Sequence, residues 1–127
     1  MPLVDVLHDG YAAYNKRDFG FVDELFAEDI EWNTPGNEAP LHGREQVTAF
    51  WGQINEQFSV HHIELVDSVE SGDRLVCFVR HHFTRPDGAH GDVEAVHDWH
   101  FQGGQVVKMH EVADTMAFAQ IAGLIPT

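Results

Sequence analysis

The sequence predicts an α+β fold, a cone in which three N-terminal helices pack on a curved antiparallel sheet and a short C-terminal helix follows. Apolar residues recur at helical spacing over roughly the first half of the chain, and from His61 onward the spacing changes to two. The segment Gln102-Gly103-Gly104-Gln105 joins two long alternating stretches, which is a strong β-hairpin signal. Helices followed by a run of strands are typical of α+β proteins.

The chain opens with two predicted helices. The pattern of the first ends near Lys16 and Arg17, cations that suit a helix C-terminus, and its apolar face carries Val4, Leu7, Tyr11 and Tyr14. Asp18 is expected to cap a short second helix that runs through Phe26 and stops around residues 27–29. A brief strand is expected over residues 30–33.

A loop and a third helix come next. Residues 34–43 hold two Pro and two Gly, so this segment is predicted to be a loop at the mouth of the cone. The third helix is predicted over residues 44–58. One side of it is apolar and carries Val47, Phe50, Trp51, Ile54 and Phe58.

The second half of the chain is predicted to be an antiparallel meander of four strands. The first two strands are expected at residues 61–70 and 74–83, with turns at 71–73 and 85–88, and the Gly-Gly hairpin supplies the other two. Thr115 is expected to cap a last short helix that runs through Ala122 and is closed by Gly123.

Length, composition and charge limit the possible functions. A chain of 127 residues with 43% hydrophobic residues predicts a single domain, residues 1–127, with a sizeable core. The net charge of −14, from 7 basic and 21 acidic residues, argues against nucleic-acid and anionic-membrane partners. Asp5, His8 and Asp9 interrupt the first apolar run, so neither a signal peptide nor a spanning segment is expected, and a cytoplasmic location is the default expectation.

One face of the hairpin is apolar except for an imidazole and a carboxylate. It carries Ala95, His97, Trp99, Phe101, Val107, Met109, Glu111 and Ala113. Burying an ionisable pair without partners is costly, so this face is interpreted as a pocket wall. On the preceding strand, Phe78, Arg80 and His82 fit the same side. We expect Glu111, His82 and His97 to form an acid-base set, with Arg80 orienting a carboxylate. A satisfied polar network that only fixes the sheet is the alternative.

Neither a metal nor a cofactor is expected. His61-His62 and His81-His82 are adjacent pairs, and neighbours on a strand point to opposite faces, so neither pair can chelate as a unit. The sequence contains no HExxH motif and no phosphate-binding glycine loop. Cys77 falls in an apolar alternating run and is expected to act as a small hydrophobe.

Several short motifs, in this order and spacing, resemble the SnoaL-like branch of the nuclear transport factor 2-like superfamily. They are Asn15-Lys16-Arg17-Asp18, Leu25-Phe26-Ala27-Glu28-Asp29, Pro35-Gly36, Gly43-Arg44, His97-Asp98-Trp99-His100-Phe101, Gly104-Gln105-Val106-Val107, Asp114-Thr115, Ala119-Gln120 and Gly123. The resemblance covers nearly the whole chain and implies a cone-shaped fold. It leaves the reaction open, because this superfamily holds isomerases, cyclases, hydrolases, dehydratases and non-catalytic modules.

Two enzyme types of this superfamily allow a comparison of site residues, position by position. The positions of the ketosteroid isomerase residues hold Gly10, Thr34 and His97, so steroid isomerisation by that machinery is not expected. The resemblance to limonene-epoxide-hydrolase-like members keeps Asn33 and Arg80, and it places His82 and Glu111 at the two acidic positions. These departures leave the reaction open and point to the same pocket wall.

The sequence therefore predicts a cofactor-independent enzyme that acts by proton transfer on a small apolar oxygenated molecule, by cyclisation, isomerisation, dehydration or epoxide hydrolysis. Residues expected to contact the substrate are Asn33 and the aromatic and apolar side chains of Tyr14, Trp32, Trp51, Phe78, Trp99 and Met109. A ligand-binding or assembly module without chemistry is the alternative. A homodimer is expected through the outer face of the sheet, at Leu65, Val76, Val96 and Val106.

Overall fold

Helices pack on a curved, unclosed sheet of six strands. The computed structural model describes residues 2–126, which form four helices and six strands. The helices are α1 (Leu3–Asn15), α2 (Val22–Leu25), α3 (Arg44–Gln57) and α4 (Thr115–Ile121). The strands are β1 (Phe26–Asn33), β2 (Leu41–His42), β3 (Val60–Ser71), β4 (Arg74–Thr84), β5 (His90–Gln102) and β6 (Gln105–Ala113). The predicted α+β cone is confirmed.

The sheet is mixed rather than purely antiparallel. Its strand order is β2-β1-β6-β5-β4-β3, and β3 to β6 form the antiparallel meander expected from the sequence. β1 pairs with β6 in parallel and places Trp32 beside Met109. This strand starts at Phe26, four residues earlier than predicted, because Phe26 and Ile30 are fully buried in the core. The helix α2 is correspondingly shorter than expected.

The connection between β4 and β5 decides which side chains face the interior. Thr84 pairs with His90, so the loop has five residues, 85–89, and its ends are joined by a hydrogen bond from Arg85 N to Ala89 O of 2.7 Å. The sequence pattern predicted a four-residue turn, 85–88. The extra residue shifts the pairing of β4 with β5 by one position. Because side chains alternate between the two faces of a strand, this shift exchanges the inward-facing and outward-facing side chains of β4.

As a result, odd-numbered residues of β4 face inward. The buried residues are Leu75, Cys77, Val79, His81 and Phe83. Phe78, Arg80 and His82 lie on the outer face, and the prediction that these three face the cavity is wrong.

Aromatic rings fill the space between the helices and the sheet. Trp32 and Trp51 lie 5.4 Å apart by ring centroids, and Trp99 lies 5.7 Å from Trp32. The helix α1 closes this core with Tyr11 and Tyr14, both buried. The interior between α1, α3 and the sheet is therefore walled by large flat side chains.

A second, smaller apolar cluster lies under α4. Phe58 and Phe83 are its largest buried members, and Phe118 of α4 packs on both. The N-cap of α4 is Asp114, whose carboxylate accepts a hydrogen bond of 3.0 Å from Ala117 N, rather than Thr115 as predicted. The helix α4, which follows β6 in the chain, therefore covers this end of the sheet.

The outer face of the sheet differs in part from the prediction. Val106 is fully buried. The register of the β5–β6 pairing shifts between His100 and Phe101, and this irregularity directs Val106 to the inner face. Leu65 also packs against the core. Val76 and Val96 do lie on the outer face, half-buried. Within residues 2–126, no helix is long and apolar enough to cross a membrane.

Candidate active site

A carboxylate between two imidazoles forms the centre of the site. Glu111 lies on β6, His97 directly opposite it on β5, and His81 on β4. Glu111 Oε2 lies 2.5 Å from His97 Nε2 and 2.8 Å from His81 Nε2. Both histidines are buried, and the Glu111 side chain is only 14% exposed. Three adjacent strands thus direct three ionisable groups to one point.

One arm of hydrogen bonds leads from this point to α1. His97 Nδ1 lies 2.7 Å from the Tyr11 hydroxyl, which in turn accepts a hydrogen bond of 3.0 Å from Trp99 Nε1. Trp99 can only donate, so the assignment that satisfies every atom has Tyr11 donating to His97 and His97 donating to Glu111. The donors of this arm all point toward the carboxylate.

A second, longer arm starts at His81. His81 Nδ1 lies 2.7 Å from His61 Nε2, and His61 Nδ1 lies 2.6 Å from the Tyr14 hydroxyl. Tyr14 accepts a hydrogen bond of 3.2 Å from Asn55 Nδ2. The same direction satisfies this arm, so its donors also point toward Glu111. Together the arms form the Glu111 network, whose members are Trp99, Tyr11, His97, Glu111, His81, His61, Tyr14 and Asn55.

The network keeps its negative charge on Glu111. Burial alone would raise the pKa of this carboxyl, but His97 and His81 outweigh burial and hold the pKa well below its usual range. Burial, reinforced by His81, lowers the pKa of His61, which is therefore neutral at pH 7. Burial raises the pKa of both Tyr11 and Tyr14, so both stay protonated donors.

An inner cavity of about 60 Å³ lies against the network. At about 30 Å³ for each water molecule, this volume is room for about two of them. Network residues in its lining are Tyr11, Tyr14, His61, His81, His97, Trp99 and Glu111, and the other large side chains are Leu7, Phe21, Phe26, Trp32, Phe50, Trp51, Ile54 and Ile63. Apart from the network, Thr34 and the indole N–H of Trp32, the lining of the cavity is therefore apolar.

A second, larger hollow lies beside the inner cavity. This outer groove has a volume of about 420 Å³ and is lined mainly by residues 33–40 and 110–113. Thr34 and Glu111 line both the inner cavity and the outer groove. Asn33 also lines the groove, and its Nδ2 donates to Glu31 Oε2 and to Met109 O, at 3.0 and 3.3 Å. Glu111 is thus accessible from both spaces.

The structure brings together some of the residues expected at the site. Glu111 and His97 are in contact, and Tyr14, Trp32, Trp51 and Trp99 line the inner cavity. Met109 is fully buried but is not part of that lining, and Asn33 belongs to the groove. The catalytic and binding roles of these residues stay predictions.

Three expected site residues lie on the other side of the sheet. Arg80 Nε donates to Glu94 Oε1 at 2.7 Å, and His82 lies between Asp92 and Glu64, at 2.7 and 2.9 Å. Phe78 is 42% exposed. None of the three can reach a molecule in the inner cavity, because the sheet separates them from it.

The sequence interpretation missed His81, His61 and Tyr11. A signal for His81 exists in the alternation of β4, where the odd positions hold Leu75, Cys77, Val79, His81 and Phe83 and four of the six even positions hold charged or polar side chains. The more apolar set marks the inner face. Nothing comparable in the sequence pairs His61 with His81 or Tyr11 with His97.

The centre of the network also has the composition of a metal site. His81, His97 and Glu111 offer ligand atoms that all lie within 4.8 Å of one another, and two histidines with one carboxylate can hold a divalent ion. The contacts of 2.5 and 2.8 Å, however, are hydrogen-bond distances. Ligands at about 2.0–2.1 Å from a metal lie roughly 3 Å or more apart. The observed geometry therefore fits shared protons better than a shared ion.

A family model for the SnoaL-like domain matches residues 7–109, most of the chain. This protein belongs to the SnoaL-like family. The resemblance predicted from its motifs is confirmed. No curated protein matches the sequence.

Solved structures of SnoaL-like and related proteins share the fold. Bal32a, from a soil-derived mobile gene cassette, is 28% identical with a TM-score of 0.83, over 93% of this chain and 94% of that one. TerC, crystallised with polyporic acid, is 22% identical with a TM-score of 0.87, over 97% and 99% of the two chains. IdmH, a proposed polyketide cyclase from Streptomyces antibioticus, is 20% identical with a TM-score of 0.83, over 94% and 97%.

Proposed function

We propose that this SnoaL-like protein is an enzyme that moves protons on a small, largely apolar, oxygen-containing molecule, with Glu111 as the base. The observation that carries the proposal is a nearly buried carboxylate that two histidines hold at the wall of an apolar cavity, and these histidines lower its pKa. Both histidines contact Oε2, and among the described residues no side-chain hydrogen bond reaches Oε1. The second oxygen is free to accept a substrate proton.

The chain's own residues supply each step of such a transfer. Glu111 Oε1 takes a proton from the substrate and later returns it to a different atom. His97 and His81 are positioning residues, because they hold the carboxylate through Oε2 and keep it ionised between turnovers. A carboxylate with a lowered pKa is a weak base, so the proton it removes must itself be acidic, as a C–H beside a carbonyl group is.

Relatives support a small molecule as the substrate. Solved structures with the same fold include two proteins described as proposed polyketide cyclases, and TerC was crystallised with polyporic acid. Such molecules carry carbonyl or hydroxyl groups on a mostly apolar skeleton. The inner cavity and outer groove meet at Glu111, so a molecule larger than the inner cavity could place one end there and leave the rest in the groove.

The test is to replace Glu111 by Gln and Glu94 by Gln in parallel. Glu94 is an exposed carboxylate on the outer face of the neighbouring strand and serves as the matched control. Oxygenated aromatic and polyketide-like compounds are screened by thermal shift, and mass and NMR spectra of the hits report turnover. We expect Glu111→Gln to lower turnover by about 10²-fold or more and Glu94→Gln to leave it unchanged.

Three outcomes would contradict the proposal. Turnover that survives Glu111→Gln would remove the carboxylate from the mechanism. Hits that bind without chemical change would favour a ligand-binding module. Loss of the circular-dichroism spectrum and of the melting transition in Glu111→Gln, but not in Glu94→Gln, would assign the network a purely structural role.

A further inference from the structure

Trp32 brings a buried hydrogen-bond donor without a partner to the inner cavity. Its side chain is 5% exposed, and its Nε1 is one of two buried side-chain polar atoms, in the part of the chain that is described, with no hydrogen bond. The other is Asn55 Oδ1, which lies outside the cavity lining. Buried donors are rarely left unpaired, because an unmade hydrogen bond in a low dielectric is costly.

The walls around this donor offer it no acceptor. The indole of Trp32 packs against the rings of Phe26, Trp51 and Trp99, with centroids 5.8, 5.4 and 5.7 Å away. A Phe ring carries no polar atom, and an indole can only donate. Its acceptor is therefore a molecule that enters the cavity, either a water molecule or the carbonyl oxygen of a ligand that displaces it.

The remaining polar atoms of the lining are already in use. The hydroxyls of Tyr11 and Tyr14 and both ring nitrogens of each histidine belong to the network, and Thr34 Oγ1 accepts a hydrogen bond of 2.9 Å from Asn37 Nδ2. Glu111 Oε1 is free as an acceptor. The cavity thus presents a buried donor at Trp32 and a proton acceptor at Glu111.

We propose that the Trp32 N–H binds a carbonyl oxygen of the substrate, and that the substrate is a ketone with an acidic C–H beside that carbonyl. The inference rests on the proposed role of Glu111. Glu111 Oε1 removes the proton, the C–H electron pair becomes a carbon–carbon double bond, and the carbonyl π pair moves to oxygen. The resulting enolate oxygen is held by the Trp32 N–H.

The end of the reaction needs no further reagent. If Glu111 returns its proton to a different carbon of the enolate, the product is an isomer. If the enolate carbon attacks a second carbonyl of the same molecule, a ring forms and the new alkoxide takes the proton from Glu111. An indole donates a hydrogen bond without releasing its proton, so it stabilises an enolate but cannot protonate an opening epoxide. The donor therefore favours isomerisation and cyclisation over epoxide hydrolysis.

The first experiment uses the wild-type protein and a matched pair of probes. Acetophenone and α-methylstyrene have the same planar skeleton, with a carbonyl oxygen in one and a methylene in the other. The ¹H–¹⁵N spectrum contains the indole signals of Trp32, Trp51 and Trp99, and Trp32→Phe identifies the first. Both probes carry a phenyl ring and exert similar ring-current shifts, so the difference between them reports the hydrogen bond. We expect acetophenone to shift the Trp32 indole proton downfield relative to α-methylstyrene, while Trp99, whose N–H is held by Tyr11, responds alike to both.

The second experiment compares Trp32→Phe with Trp51→Phe, which removes the neighbouring indole of the same lining. Trp32→Phe should weaken acetophenone binding roughly tenfold and leave α-methylstyrene unchanged, as expected for one lost hydrogen bond. Three results would overturn the inference. They are equal binding of the two probes to wild type, no acetophenone binding at millimolar concentration, and weaker acetophenone binding in Trp51→Phe but not in Trp32→Phe. The outcome is independent of Glu111, because Glu111→Gln can abolish turnover while the carbonyl preference persists.

Discussion

His61 is a buried imidazole that stays neutral at pH 7, because burial lowers its pKa and His81 adds to the effect. In the unfolded chain its pKa returns to about 6.5. Below that value His61 binds a proton in the unfolded state but not in the folded state, so the free energy of unfolding falls as the pH falls. Glu111 adds a second loss below about pH 4.3, the ordinary pKa of Glu, because its folded pKa is depressed.

This predicts a pH-dependent melting temperature with a defined origin. The wild-type melting temperature should fall between pH 7.5 and pH 5. His61→Gln should flatten that slope, and His62→Gln, an exposed neighbour on the same strand, should not. Calorimetric melts at half-unit pH steps would measure both slopes. Equal slopes of melting temperature against pH for the two variants would show that His61 does not cause the pH dependence.

Glu111 and its two histidines also allow a prediction about metal. Their contacts are hydrogen bonds, so dialysis against EDTA should leave the melting temperature and acetophenone binding unchanged. Binding of Zn²⁺ would require the three ligand atoms to separate and the shared protons to leave. Elemental analysis of the untreated protein gives the independent measurement. One equivalent of Zn²⁺, lost on dialysis together with stability, would contradict the prediction.

The short helix α4 depends on its N-cap. Asp114→Ala removes the hydrogen bond to Ala117 N and should cost about 1 kcal/mol of unfolding free energy, within a usual range of about 0.5–2 kcal/mol. Thr115→Ala, the adjacent exposed residue, should cost only a few tenths. Urea denaturation of both variants checks this. If Thr115→Ala were the more costly change, the cap would be at Thr115, as the sequence pattern suggested.

At the level of elements, most of the fold follows from the sequence and part of the site does not. The Gly-Gly dipeptide and the strict alternation determine the β5–β6 hairpin, and this is why Glu111 and His97 could be paired in advance. The β4–β5 loop carries no such marker for its length. The predicted loop omits Ala89 and is one residue too short. The prediction therefore places Arg80 and His82 on the wrong face of the sheet and misses His81. Contacts between α1 and the sheet depend on packing, which a local pattern does not encode.

At the level of the whole molecule, the outer face of the sheet retains an apolar row. Phe78, Val96 and Val112 are paired across three adjacent strands, and Phe78 and Val112 are 42% and 59% exposed. Because exposed apolar patches usually mark interfaces, we expect the protein to form a homodimer through this row.

Light scattering should therefore give about twice the chain mass of 14.3 kDa at micromolar concentration. Phe78→Asp should reduce the mass to that of one chain. Leu124→Asp, an apolar residue 71% exposed and outside the row, is the control and should leave the mass unchanged. A monomeric wild type at these concentrations would refute the dimer.

The two arms of the Glu111 network also tie α1 to the sheet. Tyr11 is hydrogen-bonded to β5 and Tyr14 to β3, so the helix cannot lift away without breaking both contacts and leaving His97 and His61 short of a donor. Local opening of α1 and the ionisation of the site are therefore linked events. Amide protons of α1 should exchange with solvent more slowly than those of α4, which has no buried polar tie of this kind among the described contacts, and acidification should accelerate opening of α1 first.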